Sequence, residues 1–462
     1  MPNTSFLILL VFLISSVEAA PVAQLPYAIR TQGYAGYSNT IRGEIRSIGM
    51  SGATIGLADS VIAAADNPGG FAMAMDAIAL QAAGNQIHDA HVQTYNEAVS
   101  SGSFGVYADH FPWGFGFSIW TPQSEGQTYQ VPGGSQVTPQ ITTKEYRLSA
   151  ARLLGNDHSF SLGITLTLGQ ATEELHYSQS TLDESQSDFD LGGTLGGMMK
   201  LPNHWLLGAS FSLPMIYEFD PYAKNTLNIA DFHQPAKSPA RAGAGFGWIP
   251  NRFFHFGMGL HWTGSTPDVA LLRNDAVHVG SRPTWQPRIG AMYIAVDIPG
   301  FKVETTAGTY LEVSRIDSSP NRGHFTTGIE FNIWLVNLGW GIDHASNYNN
   351  FIFAGGIDVV RLARKLEFIP VGNPPPQGGW FPNPFHLSYA GLPRAINPEW
   401  KFTKDDDVIE VAKQLPYRIE DKMRKTGTQI QGLGSDFMGL FETKDKAAVP
   451  VEPLPAPEKR DR

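Results

Sequence analysis

Downstream of residue 76 the chain falls again and again into a period of two. In SFSLGITLTLG, Phe160, Leu162, Ile164, Leu166 and Leu168 alternate with Ser159, Ser161, Gly163, Thr165 and Thr167. WLLGASFSL sets Trp205, Leu207, Ala209, Phe211 and Leu213 against Gly208, Ser210 and Ser212. FFHFGMGLHW sets Phe254, Phe256, Met258, Leu260 and Trp262 against His255, Gly257, Gly259 and His261. HFTTGIEFNIWL does the same with Phe325, Ile329, Phe331, Ile333 and Leu335 against Gly328, Glu330 and Asn332. Successive side chains of a strand point to opposite faces, so each segment predicts a strand with one oily face and one small or polar face.

The whole pattern predicts about 14 strands, near 76–88, 103–111, 113–121, 144–154, 158–170, 187–201, 204–213, 239–249, 252–262, 285–297, 301–313, 324–335, 337–344 and 350–360. Every second connection is tiny: Pro112, Gly155-Asn156-Asp157, Pro202-Asn203, Pro250-Asn251, Pro299-Gly300 and Val336. Those between are longer: 89–102, 122–143, 171–186, 214–238, 263–284, 314–323 and 345–349. A soluble β-sandwich would alternate in the same way. Against it stand segment lengths of about 9–13 residues, enough for a tilted strand to cross a bilayer. The second face is rich in Gly, Ser, Thr and isolated charges, and Trp113, Trp205, Trp248, Trp262 and Tyr146 sit at segment ends, as in a water-filled barrel with aromatic girdles. The expected fold class is all-β: a transmembrane antiparallel β-barrel over 76–360, with short turns on the periplasmic side and long loops outside.

Composition sharpens this picture at both ends. Phe6 to Ser15 is the longest apolar run; it is too short to span a membrane as a helix, and small residues follow it at Ala19-Ala20. Residues 1–20 are therefore expected to be a signal peptide, although no Lys or Arg precedes the run. Residues 21–75 lack a membrane-strand pattern and carry small-residue turns, as in RSIGMSGATIGLADSVIAAADNPGG. They fit a plug folded in the lumen, or failing that a small periplasmic cap. Residues 361–462 are Pro-rich, with Pro374-Pro375-Pro376 and one short amphipathic pattern at Val408, Val411, Ala412 and Leu415. They read as a mostly flexible periplasmic extension.

The run Gly49-Met50-Ser51-Gly52-Ala53, then Ala58-Asp59, then Asp66-Asn67-Pro68-Gly69 resembles the N-terminal hatch of FadL-type long-chain fatty acid transporters. Asn67 and Pro68 match that family's turn before the first strand, and Gly69 stands where Ala is usual. The resemblance implies an outer-membrane barrel, filled by a hatch, that carries hydrophobic molecules. Related barrels that serve protein secretion share much of the motif, so it points to the barrel type better than to the cargo. The hatch turn is assigned to Asp66, Asn67, Pro68 and Gly69.

Candidate chemistry is sparse. There are no cysteines, which excludes zinc-thiolate, iron–sulfur, disulfide and N-terminal lipid-thioether chemistry. A net charge of −10 argues against nucleic acid as a partner. No nucleophile elbow, Walker loop or GxGxxG motif occurs. The expectation is no enzyme, no catalytic residue, no cofactor and no metal; His88 and His91, at a loop edge, are not taken as ligands. Arg241, His255, Arg288, Glu304 and Glu330, with His261 and Asp358, are expected to line the lumen and keep it hydrated. The loop PMIYEFDPY offers Met215, Ile216, Tyr217, Phe219 and Tyr222 as an apolar capture surface, in the chain position where the resembled family has its initial groove. Expected partners are outer-membrane lipid and a hydrophobic small molecule. Two functions compete: passive uptake of such a solute, or a non-transport barrel that anchors or assembles a periplasmic protein through 361–462.

Overall fold

Alternation becomes wall. The computed structural model describes residues 45–57, 66–73, 79–89, 99–110, 112–126, 129–130, 136–155, 159–177, 184–219, 236–266, 282–314, 321–346, 348–358, 377–390 and 392. The expected signal segment, Tyr222, His91, residues 58–65, the 408–415 pattern and most of 361–462 lie outside the described residues. The strands are β1 (Ala79–Asp89), β2 (Val99–His110), β3 (Trp113–Gly126), β4 (Tyr129–Gln130), β5 (Gln136–Leu154) and β6 (Phe160–Tyr177). Next come β7 (Glu184–Leu201), β8 (Trp205–Ser212), β9 (Met215–Tyr217), β10 (Ala236–Ser238), β11 (Arg241–Asn251) and β12 (Phe254–Thr263). Then follow β13 (Thr284–Ile298), β14 (Phe301–Glu312), β15 (Arg322–Ile333), β16 (Val336–Ala345), β17 (Tyr348–Asp358) and β18 (Gly379–Trp380).

Setting aside the short β4 and β18, 14 antiparallel strands pair in the order β12-β11-β8-β7-β6-β5-β3-β2-β1-β17-β16-β15-β14-β13. Strand β13 then pairs back onto β12, from Phe254 opposite Tyr293 to Thr263 opposite Thr284. The first and last wall strands meet along their whole length, Ala79 opposite Asp358 and Asp89 opposite Tyr348. Every wall strand thus has two hydrogen-bonded neighbours and no edge is left open. On β6 the outward residues Phe160, Leu162, Ile164, Leu166 and Leu168 are exposed, while Ser161, Gly163, Thr165, Thr167 and Gly169 are buried inside. No described helix is long and apolar enough to cross a membrane.

All 14 expected strands are present, but several run longer than the hydrophobic pattern. Strands β3, β5, β6 and β7 have 14, 19, 18 and 18 residues, so much of the expected long loops 122–143 and 171–186 is strand. The reason lies in the outer face. Past Leu168 the outward positions of β6 become Gln170, Thr172 and Glu174, yet the ladder with β7 continues to Leu175 opposite Glu184. Lipid contact needs apolar side chains; backbone pairing does not. The expected connection 345–349 likewise shortens, because Tyr348 pairs with Ala345 and Asn349 with His344, whose ring Nδ1 lies 2.7 Å from Asn349 Oδ1.

Inside the ring lies the segment that precedes β1. A short helix α1 (Ile45–Gly49) packs on β14, β15, β16 and β17. The chain then touches strand after strand around the inner wall. Its carbonyls approach so closely that a Cβ at the wall glycine would come within 2.3 Å of Met50 O at Gly290 on β13, and within 2.1 Å of Ala53 O at Gly257 on β12 and of Ile55 O at Gly208 on β8. A 3-10 turn (Pro68–Ala72) continues the circuit against β7, β6, β5 and β3. Met50, Leu57, Phe71 and Met73 join wall residues Met198, Leu206, Ile249, Met292 and Ile294 in the largest apolar cluster.

Candidate lumenal site

Asn67 is the hinge pin of the inner segment. It is fully buried. Its Oδ1 accepts from Gly69 N at 3.1 Å and caps the 3-10 turn, whose first residue, Pro68, needs no N–H partner. Its Nδ2 donates to Ile55 O at 2.8 Å and to Gly197 O on β7 at 3.1 Å. One side chain thereby joins both halves of the segment to the wall. Ser161 Oγ donates to Gly69 O at 2.5 Å, and a Cβ on Gly69 would lie 2.9 Å from Gly197 Cα. That backbone contact leaves little room for a side chain at position 69. At the other side, Thr326 Oγ1 donates to Gly49 O at 2.8 Å and meets Ser51 Oγ at 2.8 Å. Ser51 holds a φ of 59°, a left-handed conformation that only such specific bonds make tolerable for a non-glycine residue.

Charges cluster on the inner face above and below this segment. Five of the seven expected lumen residues, Arg241, His255, Arg288, Glu304 and Glu330, occupy inward positions of their strands. Asp66 of the turn lies within electrostatic reach of Arg241 and Arg288, and Arg46 of α1 within reach of Glu304 and His255. Lys302 pairs with Glu304, and Asn332 Nδ2 donates to Glu304 Oε1 at 3.3 Å and Glu330 Oε1 at 3.2 Å. The inner segment is therefore tied to the wall by charge as well as by shape.

A second network went unread in the sequence. His324 sits between Asp343 (Nδ1 to Oδ1, 2.8 Å) and Glu312 (Nε2 to Oε2, 2.9 Å). Arg322 Nε donates to the same Glu312 oxygen at 2.7 Å, and Tyr310 OH donates to Asp343 Oδ2 at 2.8 Å. These residues face one another because β14 and β15 register Tyr310 opposite His324 and Glu312 opposite Arg322. A register-level reading of the inward positions would have paired them; single-strand periodicity cannot.

At the long-loop end the expected capture loop turns inward. Strands β9 and β10 form a small hairpin, Met215 opposite Ser238. Two inward carboxylates of β7 pin it: Asp190 Oδ2 accepts from Ile216 N at 2.6 Å, and Asp188 Oδ2 from Glu218 N at 2.7 Å. Met215, Tyr217 and Phe219 are buried, so they are not an open external surface; Ile216 remains exposed. Met215 and Tyr217 stand over inner-wall Gly169 and Gly192, which leave room for them. Burial, and after it the neighbouring Glu145, raises the Tyr217 phenol well above its ordinary value, so it stays neutral. Beside it Arg147 pairs with Glu145 at 2.5 Å and lies 4.3 Å over the Trp120 ring.

The fold of this 14-stranded barrel is shared with solved channels. The chain is similar to the CymD monoaromatic hydrocarbon channel, with a TM-score of 0.50 over 69% of this chain and 97% of that one at 10% identity. The fold is that of the FadL-type outer-membrane transporters. A Pseudomonas aeruginosa FadL homologue gives 0.47 at 12% identity, covering 70% of this chain and 98% of that one. The P. putida toluene transporter TodX gives 0.48 at 12% identity, covering 69% and 99%. No protein-family model matches the chain, and no curated protein matches it in sequence.

Proposed function

We propose that this protein is an outer-membrane channel for passive uptake of hydrophobic solutes, fatty acids among them, with residues 21–75 as its lumenal hatch. The observation that carries the reading is the β9–β10 hairpin, pinned on the inner wall at the long-loop end of a FadL-type barrel with an apolar side chain left exposed. Exposed Ile216 is the apolar side chain the hairpin offers to a solute, and buried Met215, Tyr217 and Phe219 seat it on the wall. An acyl or aromatic solute gains about 0.8 kcal/mol per methylene it buries there, without specific chemistry. The monoaromatic hydrocarbon channel named above supports a small apolar cargo of this kind. The Asp66-Asn67-Pro68-Gly69 turn is the closure element in this reading, and the lumen charges hold it in place.

Binding of a fluorescent fatty acid to purified barrels tests the reading. Ile216→Ser, which touches no packing core, is expected to weaken binding, and Met215→Ser with Tyr217→Ser and Phe219→Ser to weaken it further. Glu330→Gln, deep in the lumen, should leave it unchanged. Equal binding by wild type and both Ser variants would favour the second reading, a barrel that anchors or assembles a periplasmic protein through its tail.

A further inference from the structure

We infer that residues 377–390 form a strap whose aromatic face enters the lipid interface at the short-turn end of the barrel. This rests on the membrane reading of the wall given above. The segment falls within the stretch expected to be a mostly flexible extension, and it is instead held along its whole length. Strand β18 pairs with β13, Trp380 opposite Val296 and Gly379 opposite Asp297, and Phe381 N donates to Ala295 O at 2.9 Å. Asp297 Oδ2 also accepts from Gly378 N at 2.8 Å and from Arg252 Nη2 at 2.5 Å.

The middle hangs on one side chain. Asn251 Nδ2 lies within hydrogen-bond distance of three strap carbonyls: Asn383 O at 3.2 Å, Pro384 O at 3.0 Å and His386 O at 2.7 Å. Tyr293 OH donates to Pro382 O at 2.9 Å, and Ser388 N to Pro250 O at 2.9 Å. At the far end the Tyr389 ring stacks on His204 at 4.0 Å, and Leu392 is buried in the cluster that holds Leu57 and Phe71. His204 itself keeps a φ of 65°, unusual for a non-glycine residue, with Nδ1 at 3.0 Å from Ile249 O.

With its backbone so satisfied, the strap nonetheless exposes four large apolar side chains within eight residues. Trp380 is 65% exposed, Phe381 71%, Phe385 67% and Leu387 55%. A contiguous patch of this kind on an anchored backbone marks an interaction surface. Its position says which. Phe385 lies 5.6 Å from Phe254, Phe254 6.1 Å from Trp248, and Trp248 5.9 Å from Trp205. The last three are outward residues of β12, β11 and β8, next to the short turns. The strap thus continues the aromatic girdle of the wall beyond the last strand residue, at the level where amphipathic rings meet lipid headgroups.

The absence of cysteine makes the test direct. Phe385→Cys, Leu387→Cys, Ile164→Cys and Ser185→Cys are each labelled with a small fluorophore. Folded, heat-modifiable barrels are then reconstituted in phosphatidylethanolamine–phosphatidylglycerol vesicles. Ile164 faces outward in the apolar band and Ser185 lies beyond it, so they serve as lipid and water references. A doxyl quencher near the headgroup should quench positions 385 and 387 more than Ile164, a doxyl deep in the acyl chain should quench Ile164 more, and iodide should quench all three far less than it quenches Ser185. Iodide quenching equal to Ser185 would overturn the strap inference. So would protection from both quenchers, which would mean cover by another part of the chain. Failure of lipid to quench Ile164 would sink the membrane reading itself, a distinguishable result.

Discussion

The two faces of β6 carry the same backbone and follow different rules. Outward, Phe160, Leu162, Ile164, Leu166 and Leu168 meet no particular atom; they need only be apolar. Inward, each residue has its own partner. Ser161 donates to Gly69 O, Gly163 leaves space for the Pro68 backbone, and Gly169 makes room for Tyr217. Thr165 meets Ser149 at 2.7 Å. The outer face is specified by hydropathy, which is generic, and the inner face by shape and hydrogen bonding, position by position. The outer face should therefore punish a change of polarity by depth, and the inner face a loss of one atom by its bond.

The largest effect belongs to the outer face at mid-band. Ile164→Arg should cost about 2–4 kcal/mol, the range for a cation at the bilayer midplane of a barrel. Gln170→Arg, outward on the same strand but beyond the apolar run, should cost about 0–1 kcal/mol. Reversible urea unfolding from vesicles measures both. Equal costs would mean that the band is not a lipid contact, and the division between faces would lose its physical basis.

This division also explains what was legible in the sequence. Alternation gave every wall strand, since each needs only a greasy outer row, and the small turns at Pro202-Asn203 and Pro299-Gly300 gave their pairing order. Strand ends were missed where pairing outlasts the lipid, as from Ala171 to Tyr177 on β6 and from Gln136 to Thr143 on β5. The inner face was legible where a motif is local: Asn67 caps Pro68–Ala72 two residues on. It was not legible where partners are distant in sequence. Asp188 and Asp190 pinning the β9 backbone, and Asn251 gathering three strap carbonyls, carry no local pattern, because an isolated polar residue on an inward row reads as lumen lining. Met215, Tyr217 and Phe219 are buried although they lie in a long loop, because the partners that turn the loop inward, on β7, are distant in sequence.

Next in size is Asn67→Ala. It strips the cap from Gly69 N and two bonds from Ile55 O and Gly197 O, in a site closed to water. Leaving buried groups without partners costs about 1–3 kcal/mol. The wall ladder is untouched, so the barrel should still insert and migrate as a folded species. The inner segment should loosen, and single-channel conductance in planar bilayers should rise. Asn67→Asp keeps an acceptor for Gly69 N but turns a carboxylate oxygen against Ile55 O and Gly197 O, so its conductance should rise at least as far as that of Asn67→Ala. Unchanged conductance in both variants would mean that the inner segment does not obstruct the lumen.

The smallest effect returns to a single chemical group on opposite faces. Thr165 and Thr172 both lie on β6, and each hydroxyl contacts a hydroxyl across the ladder: Thr165 meets Ser149 at 2.7 Å inside, and Thr172 meets Ser187 at 2.9 Å in solvent. Thr→Val removes the same oxygen from each and keeps the β-branched shape. At Thr172 water replaces the lost partner, so the change should stay within about 0.5 kcal/mol. At Thr165, where both residues are buried, Ser149 loses a contact that no solvent can replace, and about 0.5–1.5 kcal/mol should go with it. The two values come from parallel urea titrations of otherwise identical barrels. If they coincide, water reaches the inner face at this level, and the inner wall must be treated as a wet surface and not as one matched atom by atom to what it encloses.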